Sequence, residues 1–156
     1  MKNMKNKLSI LLLTFLLTGC NSYNGPYFYV PKDDNPRYIL WETVTDMARD
    51  VDQISNLIFV IGTSTCSYCE DLEETIETYI SQKDFSIYHI NFDVSIESSE
   101  DYDVLLTVTN GGTDKFLPNY GELFYVPWMF VVQEKVAVYS IEKDFTKTLD
   151  NCIKTR

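Results

Sequence analysis

Histidine is almost missing from this chain, and cysteine is scarce. One histidine, His89, and four cysteines stand in 156 residues. A tetrahedral zinc site built on the pair Cys66 and Cys69 would need two more ligands from His89 and Cys152, so metal binding is a poor reading of those cysteines. Basic residues are also few, 13 against 23 acidic ones, for a formal net charge of −10. Nucleic acid is excluded as a partner class, because binding phosphate needs the opposite sign. Internal repeats and low-complexity tracts are absent as well. The one long apolar run, Leu8 to Leu17, is too short to span a bilayer.

That run follows Lys2, Lys5 and Lys7 and ends in Leu17-Thr18-Gly19-Cys20. A basic segment, an apolar core and a small-residue end make a secretory signal. The tetrapeptide resembles a bacterial lipobox, cut before its cysteine. The resemblance implies that residues 1–19 are removed and that Cys20 carries acyl chains, anchoring the protein to the cell membrane outside the cytoplasm. Removal of three lysines leaves 10 basic against 23 acidic residues, a net charge of −13. Residues 20–36 hold Gly25, Pro26, Pro31 and Pro36 with no persistent period, and read as a tether. Tyr27, Phe28 and Tyr29 are unusually apolar for one and point to partial docking. Residues 37–156 are then a single domain.

Within it, Leu57-Ile58-Phe59-Val60-Ile61 is a continuous β-branched run suited to a strand buried on both faces. From Glu70 to Lys83, Leu72, Ile76, Tyr79 and Ile80 recur at helical spacing. Between the two lies Cys66-Ser67-Tyr68-Cys69. Cysteines three apart in a first helical turn face the same way and can bridge. Cys66, at the helix N-terminus, gains thiolate character and is the candidate nucleophile; Cys69, one turn in, is the candidate resolving thiol. A static disulfide, in a non-catalytic binding or assembly protein, stays open as the alternative.

The remaining elements follow from period and β content. Tyr38 to Trp41 is a short strand, Thr43 to Gln53 a helix, and Phe85 to Asp93 a third strand parallel to the one before the cysteines. Glu100 to Val108 is a weaker helix. Trp128 to Val132 and Val136 to Tyr139 form a hairpin, and Asp144 to Ile153 closes the chain as a helix with Cys152 on its apolar side.

This order of elements, the Cys-x-x-Cys after a buried strand and Val126-Pro127 before the penultimate strand resemble the thioredoxin fold over residues 37–156. The resemblance implies an α/β domain with a central mixed sheet of four to five strands flanked by helices, and an insertion before the proline. It implies that Pro127 is cis beside the Cys-x-x-Cys, that the Val126 backbone pairs with an extended substrate chain, and that no cofactor is required. Thioredoxins carry a buried aspartate and an aromatic residue where Val60 and Thr65 stand here, and Gly-Pro where Ser67-Tyr68 stand. The lipobox and Gly62 to Cys69 together resemble the small thioredoxin-like lipoproteins of Gram-positive bacteria.

A thiol:disulfide oxidoreductase is expected, acting on exported polypeptides with thiols or disulfides, with a membrane redox partner as a candidate second partner. Tyr68 is a candidate substrate contact beside Val126 and Pro127. His89 and Glu70 are candidate proton-transfer groups. By the resemblance His89 falls where thioredoxins have a lysine near the buried aspartate, while Glu70 also fits a simpler role favouring the helix N-terminus.

Overall fold

The computed structural model describes residues 25–110 and 125–156. Cys20, the signal segment and most of the insertion between Asn110 and Tyr125 lie outside the described residues. A five-stranded mixed sheet runs through the middle in the order β2-β4-β3-β5-β6. Its members are β2 (Tyr38–Trp41), β3 (Leu57–Gly62), β4 (Ile87–Asn91), β5 (Trp128–Gln133) and β6 (Val136–Ile141). β2, β4 and β3 are parallel; β5 lies antiparallel to β3, and β6 antiparallel to β5.

Every residue of β3 is buried. Alternation sorts its side chains to the two faces, and two cores result. Phe59 and Ile61 join Trp41, Met47, Ile90, Leu105 and Phe130 under helices α1 (Val44–Ile54) and α4 (Ser99–Asn110). Ile58 and Val60 join Leu72, Ile76, Met129 and Leu149 under α2 (Ser67–Ile80) and α5 (Phe145–Cys152). Burying each such aliphatic side chain stabilises the fold by about 1.5–3 kcal/mol. A strand that feeds both cores is therefore the most constrained part of the chain, and the cysteines follow directly from its end.

A helix cap and a tight turn fix the ends of two of these elements. Thr43 caps α1, its hydroxyl oxygen accepting from the Asp46 amide at 3.1 Å. At the β5-β6 turn, Glu134 and Lys135 both take positive φ, 53° and 73°, as a tight two-residue hairpin demands. Neither is glycine, so the turn is held from outside. The Glu134 amide donates to Asn56 Oδ1 and the Lys135 amide to the Ser55 carbonyl, both at 2.8 Å, and the Lys135 ammonium pairs with Asp52.

Two features differ from the sequence reading. Phe28–Val30 forms a strand, β1, and Ile153–Thr155 forms a last strand, β7, paired in parallel as a separate two-stranded sheet. The closing helix accordingly ends at Cys152 rather than Ile153. Phe28, Val30 and Ile153 are buried in the α2-side core, and the Gln133 side chain exchanges hydrogen bonds with the Tyr29 main chain at 3.2 and 2.9 Å. The packed body thus starts before Arg37. A short helix, α3 (Phe92–Ser95), also follows β4 directly.

Candidate functional site

The site grows out of the C-terminal end of β3. Gly62 is buried where an added Cβ would meet Cys69 Sγ at 3.4 Å and Asn91 Oδ1 at 3.6 Å, so the strand exit lies close against the second cysteine. The next loop is pinned by a residue that sequence patterning missed. Asp93 accepts from the Ser64 amide at 2.8 Å and from its hydroxyl at 2.5 Å, across 29 residues of chain. Burial raises the Asp93 pKa somewhat, but the two Ser64 hydrogen bonds outweigh it and hold the carboxyl below its ordinary value. No periodic signal marks Asp93, because its partner is set by the β4-α3 turn.

Cys66 is the N-cap of α2, with extended backbone at φ −92° and ψ 107°. Its sulfur accepts from the Cys69 amide at 3.2 Å. A thiolate at that place would face the unpaired amide groups of the helix start. Cys66 and Cys69 are joined as a disulfide, with Cα atoms 5.2 Å apart. Cys66 Sγ is also 3.9 Å from the Val126 carbonyl oxygen. The Val126-Pro127 peptide is cis, so the two halves of the sequence motif, 60 residues apart, meet at one sulfur.

Tyr68 projects from the first turn of α2 and is 75% exposed, and Tyr125 beside Val126 is 96% exposed. Val126 and Pro127 are half-buried. Among the described residues, this side of the disulfide is bordered by two exposed tyrosine rings and the half-buried Val126-Pro127 segment. The other side is a cleft of about 230 Å³ lined by Cys69, Gly62, Tyr38, His89, Glu70 and Glu73, among others. The β3-β4 register sets Val60 opposite His89. His89 therefore lies beside Val60, and Glu70, exposed on α2, borders the same cleft.

His89 is buried, stacks on the Tyr38 ring at 4.6 Å, and its Nδ1 has no hydrogen-bond partner among the described residues. Burial pushes its pKa down, so the neutral imidazole is the favoured form. Trp128 is half-buried and tilted against Phe130 at 5.3 Å. Cys152 is a free, fully buried thiol far along the chain from the pair. Among the described residues no group of three or more His, Cys, Asp or Glu side chains is placed to hold a metal ion, and no helix is long and apolar enough to cross a membrane.

No protein-family model matches the sequence, and no curated protein matches it significantly. Solved structures do match. Thioredoxin O1 from Arabidopsis thaliana, in its oxidised state, superposes with a TM-score of 0.51 at 15% identity, over 77% of this chain and 100% of that one. A thioredoxin from Schistosoma mansoni gives 0.51 at 11% identity, over 74% and 91% of the two chains. A protein provisionally described as an oxidoreductase with a thioredoxin fold gives 0.53 at 12% identity, over 72% and 90%. At such identities the likeness is one of architecture, and it agrees with the mixed sheet, the Cys66-Cys69 disulfide and the cis-proline found here: the chain has the thioredoxin fold.

Proposed function

We propose that this chain is a thiol:disulfide oxidoreductase that works outside the cytoplasm, tethered to the membrane through lipid on Cys20, on exported polypeptides that carry thiols or disulfides. The observation that carries the redox part is the position of Cys66 Sγ, at the start of α2 and 3.9 Å from the carbonyl of Val126 before a cis-proline. The helix start stabilises a thiolate there. The Val126 main chain offers an extended partner chain a place to pair next to the sulfur.

In the reducing direction the Cys66 thiolate attacks a substrate disulfide. One Cys66-substrate bond forms, the substrate's own bond breaks, and a substrate thiolate leaves. Cys69, as thiolate, then attacks Cys66 Sγ; the Cys66-Cys69 bond forms, the mixed disulfide breaks, and the substrate departs with two electrons gained. Oxidation of a substrate dithiol is the same sequence reversed. Tyr68, with Val126 and Pro127, supplies the apolar contact surface for the incoming chain. A membrane redox partner would restore the starting state of Cys66 and Cys69.

The extracytoplasmic and lipid-anchored parts rest on Lys2, Lys5, Lys7, the apolar run and Leu17-Thr18-Gly19-Cys20. The test is trapping in cells. With Cys69→Ala, mixed disulfides through Cys66 should accumulate in the membrane fraction and vanish on reduction; a folded, abundant variant that captures nothing overturns the proposal. A Cys66-Cys69 bond that resists reduction well below about −300 mV would instead mark a static disulfide.

A further inference from the structure

The two sides of the disulfide have different chemistry, and the side facing away from Val126 holds an unused polar group. His89 is 9% exposed, and its Nδ1 lacks a hydrogen-bond partner among the described residues. Leaving a buried imidazole nitrogen unpaired costs stability, and a catalytic role is one reason such a cost is tolerated. Its ring lines the cleft that Cys69 also lines, and the cleft, about 230 Å³, has room for water. The neighbouring strands contribute no charge at this level: Leu40 and Val60 are the register partners of His89.

We infer that His89 accepts the proton of the Cys69 thiol, through the cleft, at the moment Cys69 attacks the Cys66 mixed disulfide. The inference rests on the oxidoreductase reading and adds the base that reading lacks. Neutral His89 takes the proton and becomes imidazolium; the Cys69 thiolate forms the bond to Cys66 Sγ, and the substrate thiolate leaves with the electron pair of the broken bond. The imidazolium then releases its proton to solvent. In reverse, the imidazolium protonates Cys69 as a substrate thiolate captures Cys66.

The titratable groups facing His89 are Tyr38 from β2 and Cys69, Glu70 and Glu73 from α2. Burial holds the Tyr38 hydroxyl protonated far above neutral pH, helped by the charges of Glu73 and Glu77. Burial also favours the neutral form of His89, while a free thiol of pKa near 8.5 is almost wholly protonated at and below pH 7. A base is therefore useful in that range. Glu70 and Glu73 are exposed, and carboxylates in water are weak acceptors for a thiol proton.

The experiment follows resolution itself. The reduced full chain is mixed with glutathione disulfide, quenched with acid at intervals, and the Cys66-glutathione and Cys66-Cys69 species are quantified by mass between pH 5.5 and 9. Wild type should resolve with a shallow pH dependence down to the His89 pKa. His89→Gln should form the mixed disulfide at an unchanged rate, resolve it roughly 10- to 100-fold more slowly at pH 7, and gain about tenfold per pH unit up to the thiol pKa. Equal profiles for the two proteins overturn the inference, as does a larger loss in Glu70→Gln or Glu73→Gln. A wild-type chain that forms no mixed disulfide defeats the oxidoreductase reading itself, a separate result. Should His89→Gln not fold, NMR titration of wild-type His89 decides: its midpoint should differ by a unit or more between oxidised and reduced protein, and identical midpoints overturn the proposal.

Discussion

Cys66 and Cys152 are the same residue type placed at opposite ends of two different helices. Cys66 caps the start of α2, partly exposed, with its sulfur accepting from a main-chain amide. Cys152 ends α5, fully buried in the α2-side core with Leu149 and Ile153 around it. A helix N-terminus favours negative charge; a C-terminus does not, and burial adds to the penalty. The Cys152 thiol is accordingly pushed up to about 11 by burial. Reactivity in this chain is thus a property of position on the fold rather than of cysteine as such.

The sharpest way to break that contrast is substitution. Cys66→Ala should abolish covalent capture of disulfide substrates, a loss of more than about 1000-fold in exchange rate, whereas Cys152→Ala should leave exchange within about twofold. The measurement is the rate of mixed-disulfide formation by the two reduced variants. Residual capture by Cys66→Ala through Cys152 would make the buried thiol a second reactive site.

Alkylation gives the next largest difference. At pH 7 a thiol of pKa about 11 is ionised to roughly one part in ten thousand, and Cys152 is in addition sealed from reagent. With iodoacetamide on the reduced native protein, Cys66 should label within minutes and Cys152 only on unfolding. Peptide mass mapping against time and pH checks this, and Cys66 labelling that first rises near pH 8.5 would mean that the helix start does not activate it.

Much of this contrast is legible in the sequence. Cys66 follows a β-branched run and precedes a helical period, which places it at a helix start before any coordinates are known. Cys152 shares an apolar side with Phe145 and Leu149, which predicts burial. Pro127 and the likeness in element order carry the fold. What periodicity does not carry is pairing between distant short segments. β1 and β7 are three residues each and find one another from opposite ends of the domain, so neither shows a period long enough to read. Asp93 reaches Ser64 only because β4 runs parallel to β3 and ends beside its exit. The open cleft behind Cys69 is likewise invisible, since it depends on where side chains stop rather than on which they are.

Stability separates the two positions in the opposite sense, with smaller numbers. Cys152→Ser should cost about 1–3 kcal/mol, because a buried hydroxyl replaces an apolar thiol with no partner prepared for it. Cys66→Ser, compared with the reduced wild type, should change stability by no more than about 0.5 kcal/mol, since serine is among the best N-caps and its oxygen can accept from the Cys69 amide. Urea denaturation of the reduced proteins measures both. A Cys66→Ser loss equal to that of Cys152→Ser would mean that the Cys66 thiol is held by packing rather than by its cap.

The smallest expected effect concerns the loop that presents Cys66. The Asp93 carboxylate binds the Ser64 amide and hydroxyl, and its pKa in the folded protein lies below the ordinary value near 3.9. A depressed folded pKa means that the unfolded chain binds the proton more readily, so the Asp93 contribution is fully present above pH ~4 and fades as the pH falls through the folded value. Asp93→Asn should lower Tm by no more than about 2 °C at pH 7, since the carboxylate is exposed, and the gap to wild type should close as the pH drops below ~3.9. Cys152 is sealed in the α2-side core and should show no change in native-state alkylation in this variant, whereas Cys66, two residues from Ser64, should react at an altered rate. Equal insensitivity at both cysteines would show that the Asp93-Ser64 hydrogen bonds are a local tie, and that β3 together with the α2 cap is enough to hold the sulfur where Val126 meets it.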